Sequence, residues 1–285
     1  MAEAGRIQHL ADSVRYHRDL YYNHAAPEIS DTDFDALWDE LKELDPSNEV
    51  LHEVGPEPLP GTVKVEHMFP MRSLDKGVSD DDIIHFVTQS TFGGQRYLAQ
   101  PKLDGSALSL EYISGNLHRA ATRGSGERGE DVTLNARLVA NVPLRLNVAI
   151  DCHVRGEVVM PLATFEKKYR EISPNPRNLC SGALRQKHGD GKAEASDLVF
   201  QAYDVKFPKD SLDVINDSEI LSWLQGAGIE PAPWTIFESK TPQKEMIKFT
   251  QEWGSRRESY KFEIDGIVFK LDNLLQRENL GMTAH

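Results

Sequence analysis

The chain has 285 residues, 39% of them hydrophobic, a formal net charge of −13, 20 glycines, 15 prolines and 2 cysteines. These figures exclude collagen-like and low-complexity chains and allow one large domain, or one large and one small. No stretch approaches the roughly 20 apolar residues of a membrane span, or a signal peptide's apolar core, so a cytoplasmic protein with no membrane partner is expected. Cys152 and Cys180 are too few for a four-thiolate zinc site or a disulfide framework, which leaves oxygen ligands for any metal chemistry.

Charge is unevenly spread. Residues 1–60 hold 14 acidic and 4 basic side chains, and residues 153–192 hold 8 basic and 4 acidic. A chain this acidic is by itself a poor binder of duplex nucleic acid, because neutralising phosphates takes clustered Lys and Arg.

Ile7, Leu10, Ala11, Val14 and Tyr21 recur at helical spacing until Pro27 interrupts them. Ser30 is a suitable N-cap for a second helix, with Phe34, Leu37, Leu41 and Leu44 as its apolar stripe and Pro46 as its stop. On that helix Asp31 and Asp35 are four apart, so both carboxylates lie on one face. The segment Gly55–Gly61, with Pro56, Pro58 and Pro60, reads as a stiff linker, giving domains at 1–60 and 61–285. Beyond it, Ser106–Tyr112 and Leu117–Thr122 flank a Ser114-Gly115-Asn116 turn and predict a hairpin. Further strands are expected at 153–160, 198–205 and 264–271, and helices at 80–90, 162–171, 178–186, 218–226 and 241–257. This order predicts an α+β fold of antiparallel sheets packed with helices behind a small N-terminal helical module. A doubly wound parallel sheet is not expected, since no Gly-x-Gly-x-x-Gly opens a helix after a strand.

The densest group of reactive residues is Gln100-Pro101-Lys102-Leu103-Asp104-Gly105, expected between a strand and the hairpin. A lysine there can act as a nucleophile once its amine is freed of its proton. Its companions are Arg123 after the hairpin, Glu157 within Arg155-Gly156-Glu157-Val158, and Lys270 within Asp265-Gly266-Ile267-Val268-Phe269-Lys270. Charges inside otherwise apolar strands are expensive unless paired or used.

Taken in order, these stretches resemble the nucleotidyltransferase motifs of NAD-dependent DNA ligases. The likeness takes in Tyr21-Tyr22, Pro27–Asp31, Phe34-Asp35, Ser73-Leu74-Asp75, the Lys102 motif, Thr122-Arg123-Gly124 and Gly129–Thr133. It continues through Arg155–Val158, Asn175–Asn178, Leu184–Gln186, Asp265-Gly266 with Lys270, and Leu280–Ala284. The resemblance implies a nucleotidyltransferase fold of ATP-grasp-like type. It also implies that Lys102 attacks the α-phosphate of NAD, forms lysyl-AMP and expels nicotinamide mononucleotide, and that AMP then passes to the 5′-phosphate of nicked double-stranded DNA. Under it Ser73, Leu74, Gln100 and Leu103 surround the adenosine, and Glu157, Arg123 and Lys270 lie near ribose or phosphate. Tyr21, Tyr22, Asp31, Phe34 and Asp35 hold the nicotinamide end, and Arg177 and Arg185 touch phosphates. Magnesium is implied as a cofactor without named ligands. Aromatic faces and paired carboxylates suit a cationic nicotinamide ring.

Three positions depart from the family pattern: Gln100 for a glutamate, Phe34 for a tyrosine and Ser125 for an aspartate. The chain also stops at His285 before the family's next lysine motif, and it lacks the family's oligonucleotide-binding fold, zinc finger, helix-hairpin-helix array and BRCT domain. A fragment that binds NAD better than it self-adenylates, and does not seal nicks alone, is therefore expected. Two alternatives remain open at this point: an ATP-dependent covalent nucleotidyltransferase, and a catalytically impaired nucleotide-binding module.

Overall fold

Proline 27 cannot continue a helix, and the N-terminal segment accordingly divides in two. The computed structural model describes residues 2–22, 24, 27–53, 55–56, 62–72, 74–90, 95–187, 191–208 and 214–280. Helices α1 (Ala2–Tyr22) and α2 (Asp31–Leu44) are followed by a 3-10 turn at Glu49–His52. The Ser30 hydroxyl accepts from the Asp33 amide at 3.1 Å, the side-chain cap expected of a serine in this place. Leu10, Val14, Leu41, Val50 and Leu51 form a small apolar core, and Arg6 pairs with Glu40 at its edge. Most of the predicted linker lies outside the described residues.

The described residues gather into two compact units, one of 2–75 with 121–131 and the other of 76–120 with 132–280. The first unit adds to α1 and α2 a two-stranded antiparallel pair of β1 (Lys64–Glu66) with β5 (Arg128–Glu130). Between β1 and β5 in sequence come α3 (Asp80–Gln89), β2 (Tyr97–Leu103), β3 (Ser106–Ile113) and β4 (Asn116–Thr122). After β5 follow α4 (Thr133–Ala136), β6 (Cys152–Val159), α5 (Leu162–Lys168), α6 (Pro176–Arg185) and β7 (Val199–Lys206). The chain continues through α7 (Asp217–Ala227), β8 (Thr235–Phe237), α8 (Pro242–Arg256), β9 (Ile264–Leu271) and α9 (Leu274–Leu280).

The second unit carries two antiparallel sheets, ordered β8-β2-β9 and β4-β3-β6-β7. Leu108, Leu110 and Tyr112 of β3 and Val154 and Val158 of β6 bury one face of the larger sheet against Leu179, Leu184, Leu221 and Leu224 of α6 and α7. The smaller sheet is covered by α3 and α8, with Tyr97, Phe237, Met246 and Leu271 at the contact. Two antiparallel sheets packed with helices, following N-terminal helices, are the α+β architecture the pattern predicts. Among the described residues no helix is long and apolar enough to cross a membrane.

One expectation needs correction. The lysine segment does not follow a strand; Lys102 lies in β2 itself, opposite Gly266 of β9. Proline is disfavoured in central strands, yet Pro101 stands in β2 directly before Lys102. It is tolerated because β8 pairs with β2 only along Tyr97–Ala99. At Pro101 the strand has β9 on one side and β8 has already ended.

Candidate active site

The second unit brings together the ends of β2, β6 and β9. Register on β9 sets Lys102 opposite Gly266, Gln100 opposite Val268 and Leu98 opposite Lys270. The turn after Lys102 runs against β6, where a Cβ on Gly105 would lie 2.2 Å from the Val158 carbonyl oxygen. Only glycine permits this approach, which holds the lysine turn close to Glu157, one residue before Val158.

The Lys102 ammonium is hydrogen-bonded to Asp265 and its side chain is 47% exposed, so the nitrogen is accessible to a substrate. Burial would lower its pKa, but Asp265 above all, then Glu157 and Asp104, outweigh it and hold Lys102 above the ordinary lysine value. Asp104 accepts from Arg177 Nη1 at 2.7 Å. Burial moves the Arg177 guanidinium down to about 10, still a cation at neutral pH. Lysine and arginine thus alternate with two aspartates around one point. Neither aspartate was among the residues the motifs assigned to the site; their proximity to lysine and glycine in the two motifs was the available signal.

Lys270 is a half-buried cation on β9. Its Nζ donates to Asp217 at 2.8 Å and to the Tyr203 carbonyl at 3.4 Å. Gln100 is 2% exposed; its Nε2 donates to the Ala232 carbonyl at 3.3 Å, and its Oε1 has no hydrogen-bond partner among the described residues. A carboxylate in its place would set a negative oxygen against that carbonyl. Leu103 is buried in an apolar cluster with Val159, Phe262 and Ile264. Arg185 lies at the far end of α6 from Arg177, and its Nη1 donates to the Ser181 hydroxyl of the same helix at 3.0 Å.

The remaining expected residues belong to the first unit. Tyr21 and Tyr22 meet edge to face with centroids 5.0 Å apart, and the Arg123 guanidinium lies 4.8 Å from the Tyr22 ring centroid. His67 Nε2 bonds the carbonyls of Thr122 at 3.0 Å and Arg123 at 3.2 Å. Two acceptors require that this nitrogen carry the proton. Ser125 accepts the Arg128 amide at 3.3 Å, a turn-closing role that an aspartate oxygen could also fill. Phe34 packs beside Trp38, and Asp31 and Asp35 occupy the start of α2. Leu74 is exposed, and Ser73 lies outside the described residues. This unit also holds an open cleft of about 710 Å³ lined by Arg15, Arg18, Asp19, Glu53, Arg72 and Glu127 among others. None of the residues expected at the nicotinamide lines it.

No group of three or more His, Cys, Asp or Glu residues able to hold a metal ion occurs among the described residues. Of the carboxylates near Lys102, Asp265 pairs with Lys102 and Asp104 with Arg177.

Comparison with known proteins places the chain by sequence. The NAD-dependent DNA ligase adenylation domain matches residues 61–285, and the DNA ligase-like, N-terminal NAD+-binding domain matches residues 1–53. The DNA ligase of Natranaerobius thermophilus is 36% identical over 98% of this chain and 44% of its own length. That of Brevibacillus brevis is likewise 36% identical, over 98% and 44%. A Leptospira interrogans DNA ligase is 34% identical over 99% of this chain and 42% of its own. The chain therefore spans less than half the length of these curated relatives.

Proposed function

The chain belongs to the NAD-dependent DNA ligase family, and we propose that it carries out the self-adenylation step of that chemistry. Once Lys102 Nζ has given up a proton to solvent, its lone pair attacks the α-phosphorus of NAD, a P–N bond forms, the P–O bond to the pyrophosphate bridge breaks, and nicotinamide mononucleotide leaves with the bridging oxygen. The observation that carries this reading is the accessible Lys102 between Asp265, Asp104 and Glu157, with the half-buried cation Lys270 on the neighbouring strand. Such a transfer is driven by positioning and by cations facing the phosphoryl oxygens, and Lys270 and Arg177 are the cations of the second unit suited to this.

Gln100 suits the adenine amino group, because its unpartnered Oε1 is an acceptor held in place by the Nε2 bond to Ala232. Leu103 supplies apolar surface on the same strand, and Glu157 suits a ribose hydroxyl. Ser73 and Leu74 are assigned to the adenosine, and Arg123 to ribose or phosphate, on the resemblance alone. Tyr21, Tyr22, Asp31, Phe34 and Asp35 are the set proposed for the nicotinamide mononucleotide, a π-rich and acidic set that suits a ring cation. Magnesium is proposed as a companion of the nucleotide, and no group of three or more His, Cys, Asp or Glu among the described residues gathers to hold it. Transfer of AMP to a 5′-phosphate at a DNA nick is the proposed later fate of the adduct, and Arg177 and Arg185 are assigned to phosphate contact. The protein is proposed to work in the cytoplasm, on nicked double-stranded DNA.

The test is intact mass after incubation with magnesium and either NAD or ATP, with Lys102→Ala in parallel. A gain of one AMP from NAD alone, absent in the variant, is expected. A gain from ATP alone would instead favour an ATP-using nucleotidyltransferase, and no gain from either a nucleotide-binding module without catalysis.

A further inference from the structure

Among the charged side chains of the second unit, Asp217 is unusual in being 0% exposed although it opens a helix. An aspartate in a first helical turn is normally left in water, where it complements the helix dipole without being desolvated. Here the side chain turns inward between two cations. Oδ2 lies 2.8 Å from Lys270 Nζ, and Oδ1 lies 3.2 Å from Arg277 Nη1. Burial would push its carboxyl up, but Lys270 and then Arg277 overcome this and hold it below the usual range.

The backbone is built to keep it there. The Asp217 amide donates to the Asp272 carbonyl at 2.7 Å, and Ser218 donates to the Asp272 carboxylate from its amide at 2.8 Å and from its hydroxyl at 3.0 Å. Asp272 is itself fully buried and within 3.4 Å of Arg96. A bridge between Asn216 and Asn273 completes the junction of α7 with the end of β9. The first turn of α7 is thus pinned directly beside the strand that carries Lys270.

A lysine ammonium has three N–H groups. Asp217 takes one and the Tyr203 carbonyl a second, and the third has no acceptor among the described residues. We propose that Asp217 is a positioning residue for Lys270, holding the ammonium by two fixed acceptors so that the third N–H faces the nucleotide. This rests on the reading above that Lys270 contacts the nucleotide. It adds a residue that lies outside every motif of the resemblance and 53 positions from its partner.

A double-mutant cycle on the full 285-residue chain tests the proposal. The readouts are the rate of AMP attachment to Lys102 from NAD, split into kcat and KM, and thermal melting of every variant. Lys270→Met is expected to lose about a hundredfold in kcat, the scale for losing one preorganised donor to a developing charge. Asp217→Asn, which keeps an acceptor oxygen and loses the charge, is expected to lose about tenfold in kcat with KM for NAD changed less than about threefold. The double variant should be no slower than Lys270→Met alone, within about twofold. Arg277→Gln removes the other cation on Asp217 and should stay within about threefold of the parent rate.

An unimpaired Asp217→Asn beside an impaired Lys270→Met would overturn the proposal, as would fully additive losses in the double variant. If Asp217→Asn fails to fold, Arg277→Gln decides: a rate loss as deep as that of Lys270→Met would assign the cluster a structural role only. A fully active Lys270→Met would instead remove the reading of Lys270 on which the proposal stands, an outcome visible before Asp217 is touched.

Discussion

A protonated lysine has no lone pair with which to attack phosphorus, and Asp265 keeps Lys102 protonated at rest. The sign of the linkage follows. A raised pKa in the folded state stabilises the fold fully below the unfolded lysine value of about 10.4, and that contribution is lost as pH rises through the folded value. Removing the carboxylate should therefore free the amine at lower pH. Asp265→Asn is expected to speed acylation of Lys102 by a small amine-reactive reagent at pH 8 without nucleotide, read by peptide mass; an unchanged or slower rate would contradict this account. Gln100 bears a second prediction. Gln100→Glu places a carboxylate oxygen against the Ala232 carbonyl, a buried clash of like partial charges, and should weaken AMP binding about tenfold by calorimetry, on the scale of a buried polar group left unmatched. Equal or tighter binding would mean that the amide orientation is not what holds the site. Glu157 and Lys270 were legible as charged strand positions because lone charges in apolar strands are conspicuous, whereas Lys102 was expected outside the strand that holds it. Asp217 was not legible, since in sequence it is an ordinary acid at a helix start and only the fold turns it inward.

Strands and turns decide whether those residues meet. Gly105 lets the end of β2 pass against β6 with no room for a side chain. Gly105→Ala should cost about 1–3 kcal/mol in urea unfolding, typical of overpacking, and lower the rate of AMP attachment to Lys102 with it. Unchanged stability and rate would show that the turn can yield. Long elements with clear periodicity were readable: β9 spans the predicted 264–271, and α2 begins at the predicted serine cap. Short elements were not. Three-residue strands such as β5 and β8 are defined by their partners β1 and β2, and no local pattern marks them. Whether a proline such as Pro101 suits a strand depends on where the neighbouring strand stops, and that is a property of the sheet.

At the scale of the molecule, the acidic excess lies in the first 60 residues and the reactive lysine in the second unit. The account assigns the nicotinamide end of NAD to the former and the adenylate to the latter. Asp31→Asn combined with Asp35→Asn should then raise the KM for NAD in AMP attachment about tenfold while leaving AMP affinity within about twofold, since the loss is confined to charge facing the nicotinamide cation. A matching loss of AMP affinity would contradict that division. The family motifs could be followed in order along nearly the whole chain. What they could not convey is how each charge is compensated, because Asp265, Asp104 and Asp217 are paired across 163, 73 and 53 positions of sequence. The most direct test of the central claim is tandem mass spectrometry of the NAD-treated chain, with released nicotinamide mononucleotide quantified in the same sample. The account predicts AMP on the peptide containing Lys102, acid-labile as a phosphoramidate, with one nicotinamide mononucleotide released per adduct. AMP carried by any other residue, or nicotinamide mononucleotide released with Lys102 unmodified, would contradict it.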